Sequence, residues 1–139
     1  MELKDVMSLQ LEVVPPEATI QQAAEKMKDY NIGILPVVEA QEAIGMITDR
    51  DITVRAVAKG LNPKDTPVWE VMTSKVIACP ASYDVKEASR IMEENQIRRL
   101  LVVDTDGFPV GIFSLGDLAR RGSDEKLKAE VLKEVSKPE

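Results

Sequence analysis

Histidine is absent from this 139-residue chain, and cysteine occurs once, at Cys79. Without histidine, a Ser-His-Asp or Cys-His nucleophile is excluded, and the usual zinc and non-haem iron sites lose their commonest ligand. A lone cysteine excludes an intrachain disulfide. Cys79 stands where the corresponding position earlier in the chain is Val14, which reads as a small buried residue; a redox thiol needs exposure and a lowered pKa. No apolar run approaches the roughly 20 residues that cross a bilayer. The start, MELKDVMSLQ, lacks the charged-then-apolar layout of a signal peptide. The expected location is therefore cytoplasmic, without a membrane partner. Positive charge is in short supply too: 18 Lys and Arg against 24 Asp and Glu give a net charge of -6. Nucleic acid, whose phosphates reward a basic surface, is not an expected partner.

What is present is an ordinary globular composition, 44% apolar and 30% charged. It is written twice. Sliding the chain by 65 residues lays Val6, Met7, Pro15, Ala23, Met27, Ile32, Leu35, Val37 and Val38 on identical residue types, from Val71 and Met72 to Val103. One extra residue in the second copy raises the offset to 66, after which Gly45, Asp51 and Arg55 meet Gly111, Asp117 and Arg121. This is an internal duplication. A lone half of about 60 residues would be marginal, so two halves sharing a core are expected.

Each copy predicts the same elements. A short apolar run (Leu11 to Val14; Val76 to Cys79) ends at proline, as a strand would. Capping-box pairs Thr19 with Gln22 and Asp84 with Glu87 start a helix. Its buried face comes from Ile20, Ala23, Ala24 and Met27, or from Val85, Ala88, Ile91 and Met92. Apolar runs on either side of a polar turn, Ile34 to Val38 with Ala43 to Ile47 and Arg99 to Val103 with Pro109 to Phe113, predict hairpins. A second helix opens at Thr48 or Ser114. The boundaries expected are a first motif at 4–60, a linker at 61–68, a second motif at 69–122, and a C-terminal helix and tail at 123–139. In that last helix Leu127, Val131, Leu132 and Val135 form a stripe that must pack on the body or on a second chain.

The repeated phrase, GMITDRD at Gly45 and GIFSLGD at Gly111, has two readings. Ser or Thr followed by an acid three residues later is itself a capping box. That motif prefers the longer Glu or Gln, whereas both copies have Asp, and a glycine precedes each hydroxyl where a missing side chain admits a ligand. A hydroxyl at a helix start suits a phosphate, and a short carboxylate one turn on suits a ribose diol.

The doubled pattern Gly, apolar, any, Ser/Thr, any, any, Asp, with the preceding VVE and VVD strands and VM leaders, resembles tandem cystathionine-β-synthase (CBS) domains from Lys4 to about Arg121. The resemblance implies an α+β fold of two pseudo-twofold-related β-α-β-β-α motifs packed through their sheets, a stand-alone Bateman module whose inter-motif clefts bind adenosyl ligands. It implies that Thr48 and Ser114 contact phosphate and that Asp51 and Asp117 hold ribose hydroxyls. Adenine then lies against Val13, Ile34, Ile77 and Leu100. Arg98 and Arg99 stand where the family places phosphate contacts, while the first copy has Gly33 and Ile34, so the clefts are expected to differ. Arg50 and Arg55 are weaker phosphate candidates.

The function expected is a regulatory sensor of AMP, ADP, ATP or a related compound that changes motif or subunit arrangement and signals to a separate regulated protein. The alternative is a ligand-free dimeric scaffold or stress-response protein, discriminated by whether Asp51 and Asp117 face an open cleft or turn back on their own helices. No acid-base constellation beyond the repeated motif suggests an enzyme. No cofactor and no dedicated metal site are expected; magnesium would come only with a polyphosphate. A homodimer through the motif helices is expected, with Ile52, Val54 and Val57 in the first copy and Leu115 and Leu118 in the second.

Overall fold

The structure, a computed structural model, describes residues 1–9, 12–121 and 125–136. They form two compact units, Glu12–Val76 and Met1–Leu11 with Ile77–Glu139. Both mix helices with short sheets.

In the unit Glu12–Val76, helix α1 (Ile20–Tyr30) starts at a closed capping box. Thr19 Oγ1 accepts the Gln22 N–H at 3.1 Å, and Gln22 Oε1 accepts the Thr19 N–H at 2.9 Å. The helix stops at Asn31, which is left-handed at φ 53°, a conformation that asparagine tolerates. Strands β1 (Ile34–Glu39) and β2 (Glu42–Thr48) form the expected antiparallel hairpin. Its two turn residues, Ala40 and Gln41, both have positive φ, as a two-residue turn matched to strand twist requires. The strand expected at Leu11 to Val14 shrinks to a single parallel bridge, Val14 with Val37; Leu11 lies outside the described residues. Helix α2 (Asp49–Asp51) then widens into a π-helical stretch, Ile52–Val57.

In the other unit, β3 (Ala78–Pro80) pairs in parallel with β4 (Arg99–Val103), which pairs antiparallel with β5 (Pro109–Ser114). Helix α3 (Val85–Asn95) is capped by Asp84, whose carboxylate accepts the Lys86 N–H at 2.8 Å. The reciprocal bond expected from Glu87 does not form among the described residues. Helix α4 (Leu115–Arg121) follows β5, and α5 (Glu125–Val135) packs on α3 and α4. Leu127, Val131 and Val135 bury in the core, one helical turn apart. Leu132, expected on the same stripe, is exposed because it lies about 100° around the helix from Val131. Leu118 joins this core too.

The leaders cross between repeats. Val68, the last residue of the expected linker, and Val71, just inside the second motif, bury in the core of Val14, Leu35 and Ile47. Leu3, just before the first motif, and Val6 and Met7, just inside it, bury with Leu100, Val102 and Phe113. Each leader then pairs with a hairpin strand. Ser8 and Ile112 exchange backbone bonds of 2.9 and 3.2 Å, and Thr73 and Met46 exchange two of 2.9 Å. The repeat in the sequence and the compact unit in space therefore have different boundaries.

Candidate functional site: two hydroxyl–carboxylate pairs

Both copies build one arrangement where the hairpin passes into a helix. Thr48 Oγ1 accepts the Asp51 N–H at 3.0 Å, and Asp51 Oδ2 accepts the Thr48 N–H at 3.0 Å. Ser114 and Asp117 repeat this at the same two distances. The shorter acid therefore does close a capping box, against the expectation drawn from its length. Both carboxylates turn back on their own helix starts, and both are buried: Asp51 is 8% exposed and Asp117 1%. The next donor at each start is also used, since Asp49 N–H bonds to Gly33 O at 3.0 Å and Leu115 N–H to Arg98 O at 2.9 Å.

Gly45 and Gly111 do not make room for a ligand as expected. A side chain on Gly45 would lie 2.9 Å from Thr73 O and 2.6 Å from Met72 Sδ; on Gly111 it would lie 2.8 Å from both Ser8 O and Met7 Sδ. The missing Cβ admits the leader backbone instead.

The register places Ile34 opposite Thr48 and Arg99 opposite Ser114. Arg99 therefore belongs beside its hydroxyl–carboxylate pair, and Ile34 holds the corresponding place in the first copy. Arg98 and Arg99 are exposed. Arg50 is exposed as well, its N–H bonded to Asp49 Oδ1 at 2.9 Å. Val13 and Ile77 are half-buried, Val13 lending its carbonyl to Lys26 Nζ at 2.8 Å. Leu100 is a correction: it is fully buried in the core around Phe113 and Met92 and keeps no surface for adenine.

Sequence reasoning missed three neighbours of the carboxylates. Ser8 Oγ lies 3.3 and 3.5 Å from the two Asp117 oxygens, and Thr73 Oγ1 lies 3.5 Å from Asp51 Oδ1. Their signal was present, as hydroxyl residues following Val-Met at the 65-residue offset. Arg120 Nη2 donates to Asp117 Oδ1 at 3.1 Å, whereas Arg55 Nε stands 3.7 Å from Asp51 Oδ1. Elsewhere, burial pushes the Cys79 thiol up to about 11, which makes it inert, as its reading as a core residue requires. Among the described residues no group of three or more His, Cys, Asp or Glu is placed to hold a metal ion, and no helix is long and apolar enough to cross a membrane.

Comparison with known proteins agrees with this architecture. A family model, CBS domain, matches residues 3–57 and 68–124. CBS domain-containing protein YhcV of Bacillus subtilis is 45% identical over 117 residues, 84% of this chain and 82% of that protein. The crystal structure of Hypoxic Response Protein I, described with two coordinated zinc ions, superposes with TM-score 0.77 at 31% identity, over 87% of this chain and 98% of that one; the Mycobacterium tuberculosis protein of that name is 32% identical over 118 residues. A CBS domain protein of Pyrobaculum aerophilum, solved in complex with AMP, has TM-score 0.79 over 96% of this chain and 99% of its own, and its 24% identity supports the fold alone. The chain belongs to the CBS domain family.

Proposed function

We propose that this member of the CBS domain family is a regulatory module that captures an adenosine-containing nucleotide, AMP, ADP or ATP, through Thr48 with Asp51 and Ser114 with Asp117. The observation that carries the reading is the repetition: two buried carboxylates, each accepting the backbone N–H of a Thr or Ser whose hydroxyl accepts the Asp N–H in return, all at 3.0 Å. Arg99, across the strand pair from Ser114, supplies a guanidinium for phosphate. Val13, Ile34 and Ile77 are half-buried apolar surfaces for adenine. The AMP found on the Pyrobaculum protein is consistent with this ligand class. No cofactor is invoked, and magnesium enters only with a polyphosphate. Occupancy would change the arrangement of the motifs or of two chains and so signal to a regulated protein. A homodimer is part of this reading, supported by Val54 and Val57, which are 47% and 64% exposed on the first-copy helix.

A second reading, a ligand-free dimeric scaffold, is favoured by one observation: both carboxylates already close capping boxes. Calorimetric titration of the full chain with adenosine, AMP, ADP and ATP separates the two. The sensor reading expects binding, weakened by about 1.5 to 3 kcal/mol in Asp117→Ala, the range for hydrogen bonds to a charged group. Arg99→Ala should weaken ATP more than adenosine. No binding by protein that mass analysis shows to be nucleotide-free would leave the scaffold.

A further inference from the structure

Each carboxylate touches a hydroxyl that lies outside the repeated motif. Ser8 Oγ spans both oxygens of Asp117 at 3.3 and 3.5 Å, and Thr73 Oγ1 meets Asp51 Oδ1 at 3.5 Å. Good O–H···O bonds run about 2.5 to 3.0 Å, so both contacts are long. The backbone behind each hydroxyl is fixed by its paired bonds to Ile112 or Met46. The hydroxyl itself needs only a side-chain rotation to leave. Asp117, at 1% exposure, cannot receive another hydroxyl until something yields. The Ser114 N–H at 3.0 Å and the Arg120 guanidinium at 3.1 Å are held more closely than Ser8.

We propose that Ser8 and Thr73 are positioning residues that stand in for the hydroxyls of the ligand. They satisfy the buried carboxylates in the empty protein and rotate away when a vicinal diol arrives. The inference rests on the nucleotide reading above and adds what sets the affinity. A ligand that must first displace a leader hydroxyl binds with its intrinsic affinity multiplied by the fraction of molecules in which that hydroxyl has rotated away. A nucleotide without the diol does not meet this competition.

The test titrates the full chain with AMP and with 2′,3′-dideoxy-AMP, in the wild type, Ser8→Ala, Thr73→Ala and the double variant, each checked for folding by circular dichroism. The expected result is AMP binding tightened about three- to tenfold in the double variant, as loss of one competing hydrogen bond per site predicts, with dideoxy-AMP unchanged. Thr73→Ser and Ser8→Thr, which keep the hydroxyl, should retain wild-type affinity, and Thr73→Val and Ser8→Gly, which lose it, serve where an alanine variant fails to fold. If the wild type prefers AMP to dideoxy-AMP but the alanine variants bind AMP equally or less well, the nucleotide reading stands and the stand-in role falls. If the wild type binds both nucleotides alike and the alanine variants change neither, nucleotide capture stands while the diol contact and the stand-in role fall; if it binds neither, both readings fall.

Discussion

The two copies keep one carboxylate geometry and surround it differently. Asp117 has a guanidinium at 3.1 Å and a serine hydroxyl at 3.3 Å; Asp51 has its nearest guanidinium at 3.7 Å and its threonine at 3.5 Å. The helix after Ser114 is α-helical and lies under α5, whereas the helix after Thr48 turns π-helical at Ile52 and leaves Val54 and Val57 exposed. Arg99 faces Ser114 where Ile34 faces Thr48. Duplication therefore fixed the lock that joins hairpin, helix and leader, and divergence acted on its charge and on the cover of its helix.

The largest effects should come from the cores. Phe113 and its counterpart Ile47 are both fully buried. Phe113→Ala is expected to cost about 3 to 5 kcal/mol and Ile47→Ala about 2 to 5. Urea unfolding would show whether the units are energetically separate: two resolved transitions in either variant mean that they are, and one shared transition means that they fold as a pair. Next come the glycines. Gly45→Ala and Gly111→Ala should each lose about 1 to 3 kcal/mol from overpacking against the leader. A neutral result at one site would show that its leader shifts readily, and the copies would then differ in how firmly they hold it.

Smaller effects distinguish the carboxylates. Asp51→Ala and Asp117→Ala remove the N3 partner of a capping box, a hydrogen bond worth about 1 kcal/mol net, with the greater loss expected at Asp117 because Ser8 and Arg120 are nearer. Equal losses in thermal unfolding would mean that these neighbours contribute little. The smallest effect concerns α5, which packs on α3 and α4. Burial, with Glu130 and Glu134 nearby, raises the Glu93 pKa. The folded state then binds this proton more readily than the unfolded chain, so the contribution of Glu93 to stability declines as pH rises from its ordinary value through its raised one. Glu93→Gln should flatten the stability profile in that window and leave the pH dependence elsewhere unchanged.

Much of this was legible in the chain. The duplication, the hairpins, the Thr19 box and both hydroxyl–carboxylate pairs follow from spacing, because helix caps and strand turns are local and their residues lie within a few positions of one another. Leu100 was misplaced because a strand residue's register, not its neighbourhood, decides whether it faces the core. The short carboxylates reach their own helix starts, which a preference for Glu or Gln did not foresee. Gly45 and Gly111 could be seen to need room, but not for what.

The sequence by itself determined that one motif occurs twice and that each copy carries an acid and a hydroxyl at a helix start, since those relations span seven residues from Gly45 to Asp51 and from Gly111 to Asp117. Only the tertiary structure decided that Ser8 meets Asp117, 109 positions away, and that Thr73 meets Asp51, 22 away. The physical reason is that strand pairing joins edges without regard to chain order. Each leader lies along the hairpin that exposes an unpaired edge beside a glycine, and that hairpin belongs to the other repeat.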